Sequence, residues 1–292
     1  MGYRIRTAAL FMMLTLLFMA IGAVLWLVMY DRFSNPTEGL FWMMAVFIVI
    51  SALINMFSFF FSKKIVLRAH RVKIIRREDS PRFYGIVENV AASAGLPVPE
   101  VGIVSDPTPN AFATGRGPKN AAVVATTGLL ELLDDRELKG VVAHEMAHVK
   151  NRDVLVMSLA ATIAGAISIL ARFVLFSSFR SREGGAVLIL ILAYITIPLA
   201  AMLIQLGISR GREYKADETG ARICADPIAL ASALEKLEYG NAQRPMYREN
   251  PSSAHMWIAN PLGGKRGAAS LFSTHPPMKE RIRRLNTMAG KI

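Results

Sequence analysis

Four apolar runs constrain this chain more than any other feature. They are Ala8–Tyr30, Leu40–Phe61, Val154–Phe176 and Ala186–Ile208. Each supplies the roughly 20 residues that a hydrocarbon core of about 30 Å requires at 1.5 Å per helical residue. The first run is too long for a cleaved signal core, and a second follows at once. The third is interrupted by Arg172, near enough to its end to snorkel, and the fourth by Thr196, Pro198 and Gln205. A buried hairpin inside a soluble domain is the alternative for these two; the short polar loop Ser177–Gly185 favours a membrane hairpin. The 53% hydrophobic composition is therefore gathered, not spread, which excludes a disordered chain. One cysteine, Cys224, excludes a disulfide framework or a Cys-rich zinc module.

The net charge of +12 has a topological reading. Arg4 and Arg6 precede the first run, Arg32 alone lies between runs one and two, and Lys63, Lys64, Arg68, Arg71, Lys73, Arg76 and Arg77 follow the second. Positive residues stay on the cytoplasmic side, so the N-terminus and everything after span two should face the cytoplasm. The basic residues abut a span and no recognition motif accompanies them, so nucleic acid is not an expected partner.

The organisation expected is an N-terminal hairpin (1–61, spans 8–30 and 40–61), a polar segment (62–153), a second hairpin (154–208, spans 154–176 and 186–208) and a second polar segment (209–292). The two polar segments together are large enough for one domain. Phe83, Ile86, Val87 and Val90 at helical spacing predict a helix over Pro81–Ala94, stopped by Gly95 and Pro97. Short strands are expected at Val101–Ser105, Asn110–Gly115 and Ala121–Thr126, with a turn at Gly115–Pro118. A helix should start near Asp134, where Glu137 completes a capping-box pattern. Helices are also expected over Glu213–Ala225 and Pro227–Tyr239, then a mobile loop over Asn241–Gly267, then a final basic helix after Thr274-His275-Pro276-Pro277.

The chemistry concentrates in His144-Glu145-Met146-Ala147-His148. Residues i and i+4 share a helix face, so two imidazoles can grip one zinc ion, and Glu145 can serve the water that zinc activates. A third histidine at the metzincin position fails, because residue 154 is Val. A carboxylate from a second helix remains, and Glu213 and Asp217, four apart, are the candidates. The natural division makes Glu213 the third ligand and Asp217 the acceptor for the far nitrogen of a metal-bound histidine. Charged-face pairing of Glu213 with Arg210 or Arg212 is the competing reading. An oxyanion stabiliser is sought in His275 or Tyr214, with His275 preferred for its proline-fixed backbone; helix capping is its bland alternative. The strand Asn110-Ala111-Phe112-Ala113 could pair with an extended substrate at a sheet edge, or be an ordinary interior strand.

HEMAH followed by SRGREYKAD, with NAFATG before and FSTHPPMKERI after, resembles the HtpX family of bacterial membrane zinc metalloproteases, relatives of the CAAX prenyl endopeptidases. The resemblance covers nearly the whole chain. It implies a mainly α integral membrane protein with four transmembrane helices and a cytoplasmic α+β zincin-like domain holding a small sheet. It implies a gluzincin-type endopeptidase of the bacterial cytoplasmic membrane, acting on membrane proteins in quality control under stress. It also implies that His144, His148 and Glu213 hold one zinc and that Glu145 is the catalytic acid/base. No oligomeric state follows from it. Two rivals are an intramembrane protease, opposed by the charges of Asp134–Asp153, and a membrane scaffold keeping zinc for folding only. A structural site is normally closed by four protein ligands, and only three are evident.

Because two apolar runs separate His148 from Glu213, the site is completed only when the chain returns from the membrane. It is expected close to the bilayer surface.

Overall fold

A computed structural model describes residues 2–28, 30, 33–178, 210–243, 246, 254–259 and 276–290. The fourth apolar run, residues 179–185 of the loop expected before it and His275 lie outside the described residues; Ser177 and Ser178 of that loop close a helix instead.

Two long helices open the chain, α1 (Tyr3–Val28) and α2 (Pro36–Ala69). Asn35 caps α2 by accepting from the Glu38 amide, and Pro36 sets its first turn. Both helices are long and apolar enough to cross a membrane. Helix α2 does not stop at Phe61: it carries the basic residues Lys63, Lys64 and Arg68 on the same rod. Its buried positions are Gly39, Ser51, Asn55, Ser58, Ser62 and Val66, while Phe41, Trp42, Val46, Val49, Leu53, Phe57 and Phe60 are exposed. Asn55 Nδ2 donates to the Phe11 carbonyl of α1 at 3.2 Å, and Ser51 Oγ to Thr15 Oγ1 at 3.2 Å.

The polar segments build a second body. Strand β1 (Lys73–Ile74) leads into α3 (Pro81–Ala94), which Gly95 ends in the left-handed conformation (φ 67°). Strands β2 (Glu100–Val104), β3 (Ala111–Gly117) and β4 (Asn120–Thr126) follow, giving a sheet ordered β1-β2-β4-β3. Pairing is antiparallel for β1–β2 and β3–β4 and parallel for β2–β4. The two-residue β1 was too short to be read from periodicity. The hairpin turn sits at Pro118–Lys119, later than expected, because β3 bulges between Gly115 and Gly117 instead of ending at Gly115.

After the single turn-and-a-half of α4 (Thr127–Leu132), Asp134 caps α5 (Asp135–Lys150) in a complete box: its Oδ1 accepts from the Glu137 amide at 2.8 Å, and Glu137 accepts from the Asp134 amide at 3.2 Å. Helix α6 (Asp153–Ser178) begins two residues after α5 ends, with Arg152 at φ 60° making the corner. The chain returns as α7 (Arg210–Cys224), α8 (Pro227–Gln243), a 3-10 turn at Ala254–Met256 and α9 (Met278–Ala289).

One core joins both polar segments, with Phe83, Val87, Leu138, Val142, Met146, Leu230, Leu234 and Leu285 among its buried members. A separate core joins the hairpin to α6: Leu10, Leu14 and Leu17 meet Leu155, Val156, Leu159 and Ile163. Residues 254–259 depart from the mobile loop expected there. Trp257 is 1% exposed and packs edge-on to Phe112, and Ile258 N donates to the Ala111 carbonyl at 2.9 Å. The large indole supplies enough apolar area to fix a segment whose other residues gave no signal.

Candidate metal centre

Helices α5 and α7 cross closely because α7 presents Gly220 at the contact. A Cβ there would lie 2.8 Å from the His144 nitrogen and 2.9 Å from its Cα, so any side chain would force the helices apart. This contact sets Glu213 and Asp217 opposite the two histidines. His148 Nε2 lies 3.5 Å from Glu213 Oε1, and His144 Nε2 lies 3.8 Å from Glu213 Oε2. All three side chains are buried, with their ligand atoms within 4.8 Å of one another. Four-coordinate zinc with ligands at about 2.0–2.2 Å needs ligand atoms about 3.3–3.6 Å apart, so the arrangement fits such an ion after small adjustments.

The two histidines sit in different fields. Burial alone would depress the His148 pKa, but Asp153, 3.5 Å from its Nδ1, and the charges of Glu213 and Glu145 hold it up at about 8. The carboxylates thus favour positive charge at His148, while the Arg281 and His148 charges oppose it at His144. Burial lowers the His144 pKa, against the opposing contact of Asp217, whose Oδ1 lies 2.9 Å from His144 Nδ1.

Glu145 is 2% exposed. Burial raises its carboxyl to about 7, moderated by the His148 charge and by a hydrogen bond from the Ala113 backbone. Glu145 is thereby tied to β3, the sheet's edge strand.

The other candidates are placed as follows. The Asn110 side chain donates to the Ala259 carbonyl at 2.8 Å and accepts from the Ala259 amide at 3.2 Å. Phe112 is fully buried against Trp257 and His70. On the outer edge of β3, the Ala111 carbonyl is taken by Ile258 and the Gly115 amide donates to Ser158 Oγ at 3.2 Å. Alternation along an antiparallel strand turns the Ala113 carbonyl outward too. The Tyr214 ring is covered by the Arg284 guanidinium, 3.7 Å from its centroid. The Arg212 guanidinium reaches Asp153 at 3.5 Å and also feels the charge of Glu213.

Two residues near the site went unread in the sequence. Asp153, beside His148, looked like the end of a helix. Arg281, on α9, is 0% exposed and gives Asp217 two bonds, from Nε at 2.8 Å and Nη2 at 2.7 Å. Its signal was available: Met278, Leu285 and Met288 share its face at helical spacing, and a lone cation in an apolar stripe needs a buried partner.

The fold and site define a metalloprotease with membrane-crossing helices. The profile of Peptidase family M48 matches residues 78–289. The chain is 46% identical over 300 residues to a "Protease HtpX homolog" of Thermococcus sibiricus, covering 100% of this chain and 98% of the relative. It is 48% identical over 296 residues to a protein of the same name from Syntrophobacter fumaroxidans, covering 99% and 100%. The crystal structure of S. mikatae Ste24p shares the fold at TM-score 0.51 and 19% identity, over 91% of this chain and 62% of that one. This chain belongs to peptidase family M48, among its HtpX-type membrane proteases.

Proposed function

We propose that the chain is a multi-pass zinc endopeptidase that cleaves misfolded or damaged membrane proteins at the cytoplasmic face of a cell membrane. The observation that carries this reading is geometric: His144, His148 and Glu213 bring one buried ligand atom each within 4.8 Å of one another, and the buried Glu145 follows His144 on the same helix.

His144, His148 and Glu213 would hold the zinc ion, with Asp217 on the far nitrogen of His144 and Asp153 on that of His148. When bound, zinc supplies a Lewis acid that polarises the scissile carbonyl and acidifies water. Glu145 takes a proton from the attacking water and passes it to the leaving nitrogen. The outward Ala113 carbonyl accepts the amide of an extended substrate, so that β3 gains a strand beside Glu145. The Ile258 bond to Ala111 supports this, since that edge already accepts a backbone donor. His275 would approach the developing oxyanion.

The exposed apolar face of α2 and the basic residues that follow support membrane insertion with both polar segments in the cytoplasm. Four spans are proposed, with 154–176 and 186–208 as the second pair. Asp153 opens α6, lies 3.8 Å from Arg6 of α1, and touches His148, which supports a site at the membrane surface.

Purified wild type and Glu145→Ala should bind zinc equally, and only wild type should cleave an unfolded protein such as casein. Full cleavage by the Ala variant would remove Glu145 from the mechanism. Zinc binding with no cleavage by either protein would favour a scaffold.

A further inference from the structure

The steps above leave Arg281 without a task, yet it occupies an expensive position. A fully buried guanidinium is tolerated only when its donors are satisfied. Here Nε and Nη2 take both oxygens of Asp217, and Nη1 donates to the Ile258 carbonyl at 3.0 Å. The same group stands 3.5 Å from His144 Nε2 and 3.8 Å from Glu213 Oε2. Its neighbours on α9 behave differently: Arg283 and Arg284 are exposed and pair with Glu280 along the helix surface.

We propose that Arg281 is a positioning residue of the metal centre: by gripping both oxygens of Asp217 it orients His144 for the ion, and so makes metal binding depend on the docking of α9. The inference rests on reading His144, His148 and Glu213 as the ligand set. A carboxylate held at one oxygen can turn about its last torsion. Two parallel bonds from a planar fork fix its plane, which keeps Oδ1 at 2.9 Å from His144 Nδ1. Lysine offers a point charge without that fork. Arg281 also fastens Ile258, whose amide lies on the β3 edge, so one side chain connects α9, α7, the catalytic helix α5 and the edge strand.

The test uses the full chain in detergent micelles. Zinc affinity is read by competition with a chromophoric chelator, and ligand geometry by the visible spectrum of the cobalt-loaded protein. Arg281→Met should bind zinc about 10–100-fold more weakly, the range for loss of a group that orients a ligand, and should shift the cobalt bands. Arg281→Lys should fall between Met and wild type. Leu285→Ala loosens the same helix, being buried in the core with no polar group to offer Asp217, and should keep near wild-type zinc affinity. Wild-type affinity in Arg281→Met, alongside lost binding in His144→Ala, would overturn this inference alone. So would a Leu285→Ala variant that loses zinc as Arg281→Met does at equal loss of thermal stability. If Arg281→Met does not fold, a folded Arg281→Lys with wild-type affinity and spectrum overturns it. Failure of wild type to bind zinc would remove the ligand set and this inference with it.

Discussion

Helix α2 of the hairpin and the domain that holds the metal site are built inside out from one another. In the hairpin, Ser51, Asn55, Ser58 and Ser62 face inward while Phe41, Trp42, Phe57 and Phe60 face outward. In the domain, Phe83, Val87, Val90 and Leu138 are sealed, and Arg77, Arg136 and Arg222 are at the surface. Water rewards only the second arrangement. In lipid, large apolar groups lose nothing by facing out, while small and polar residues let helices approach and bond. The contrast shows which surroundings each half was shaped for.

The sharpest way to break it is a matched pair of truncations. Phe83→Ala should cost about 3–5 kcal/mol of unfolding free energy, as a buried ring leaves a cavity. Phe57→Ala, at 54% exposure on α2, should cost under about 1 kcal/mol in lipid or detergent, where burial drives nothing. Equal costs would mean that α2 packs against protein.

A matched pair of asparagines sharpens the comparison. Asn110→Leu strands the Ala259 amide and carbonyl in a dry core and should destabilise by about 3 kcal/mol, at about 1–3 kcal/mol per orphaned group. Chemical unfolding of the two variants would also show whether Asn55→Leu, which removes the bond to Phe11, costs only about 0.6–1.7 kcal/mol, the membrane range.

Between those two effects lies a pH term confined to the domain. Burial would raise the Asp217 pKa, but the Arg281 charge and its hydrogen bonds bring it down to about 2, below the ordinary 3.8. The ionised form is therefore favoured by folding. Its contribution of about 2 kcal/mol, at 1.36 kcal/mol per pKa unit, is present above pH 4 and is lost as pH falls toward 2. Acid titration of metal-free protein should show this loss in wild type and not in Asp217→Asn. The ion pairs of the hairpin, Arg6 with Asp153 and Lys63 with Glu100, are single contacts more open to solvent, so the hairpin should respond less over that range.

Much of this was legible in order of residues. The i,i+4 spacing of His144 and His148 needs only a helix, and the Asp134–Glu137 box marks where that helix begins. Apolar length alone marked α1 and α2, and helix spacing alone put Glu213 and Asp217 on one face. Arg281, Asp153 and Gly220 were harder, because each acts through a neighbour distant in sequence. A charged residue on a basic helix, an acid after a helix and a glycine within one all have common bland uses.

What the sequence determined by itself is local: periodicity, caps, span length and the kinds of ligand atom on offer. Those follow from backbone geometry within a few residues. Only the tertiary structure decided that α7 would cross α5 at Gly220, that Arg281 would be drawn inside to grip Asp217, and that residues 254–259 would lie along β3. These depend on the close approach of segments far apart in the chain, where packing and desolvation act together and no single stretch of residues encodes the outcome.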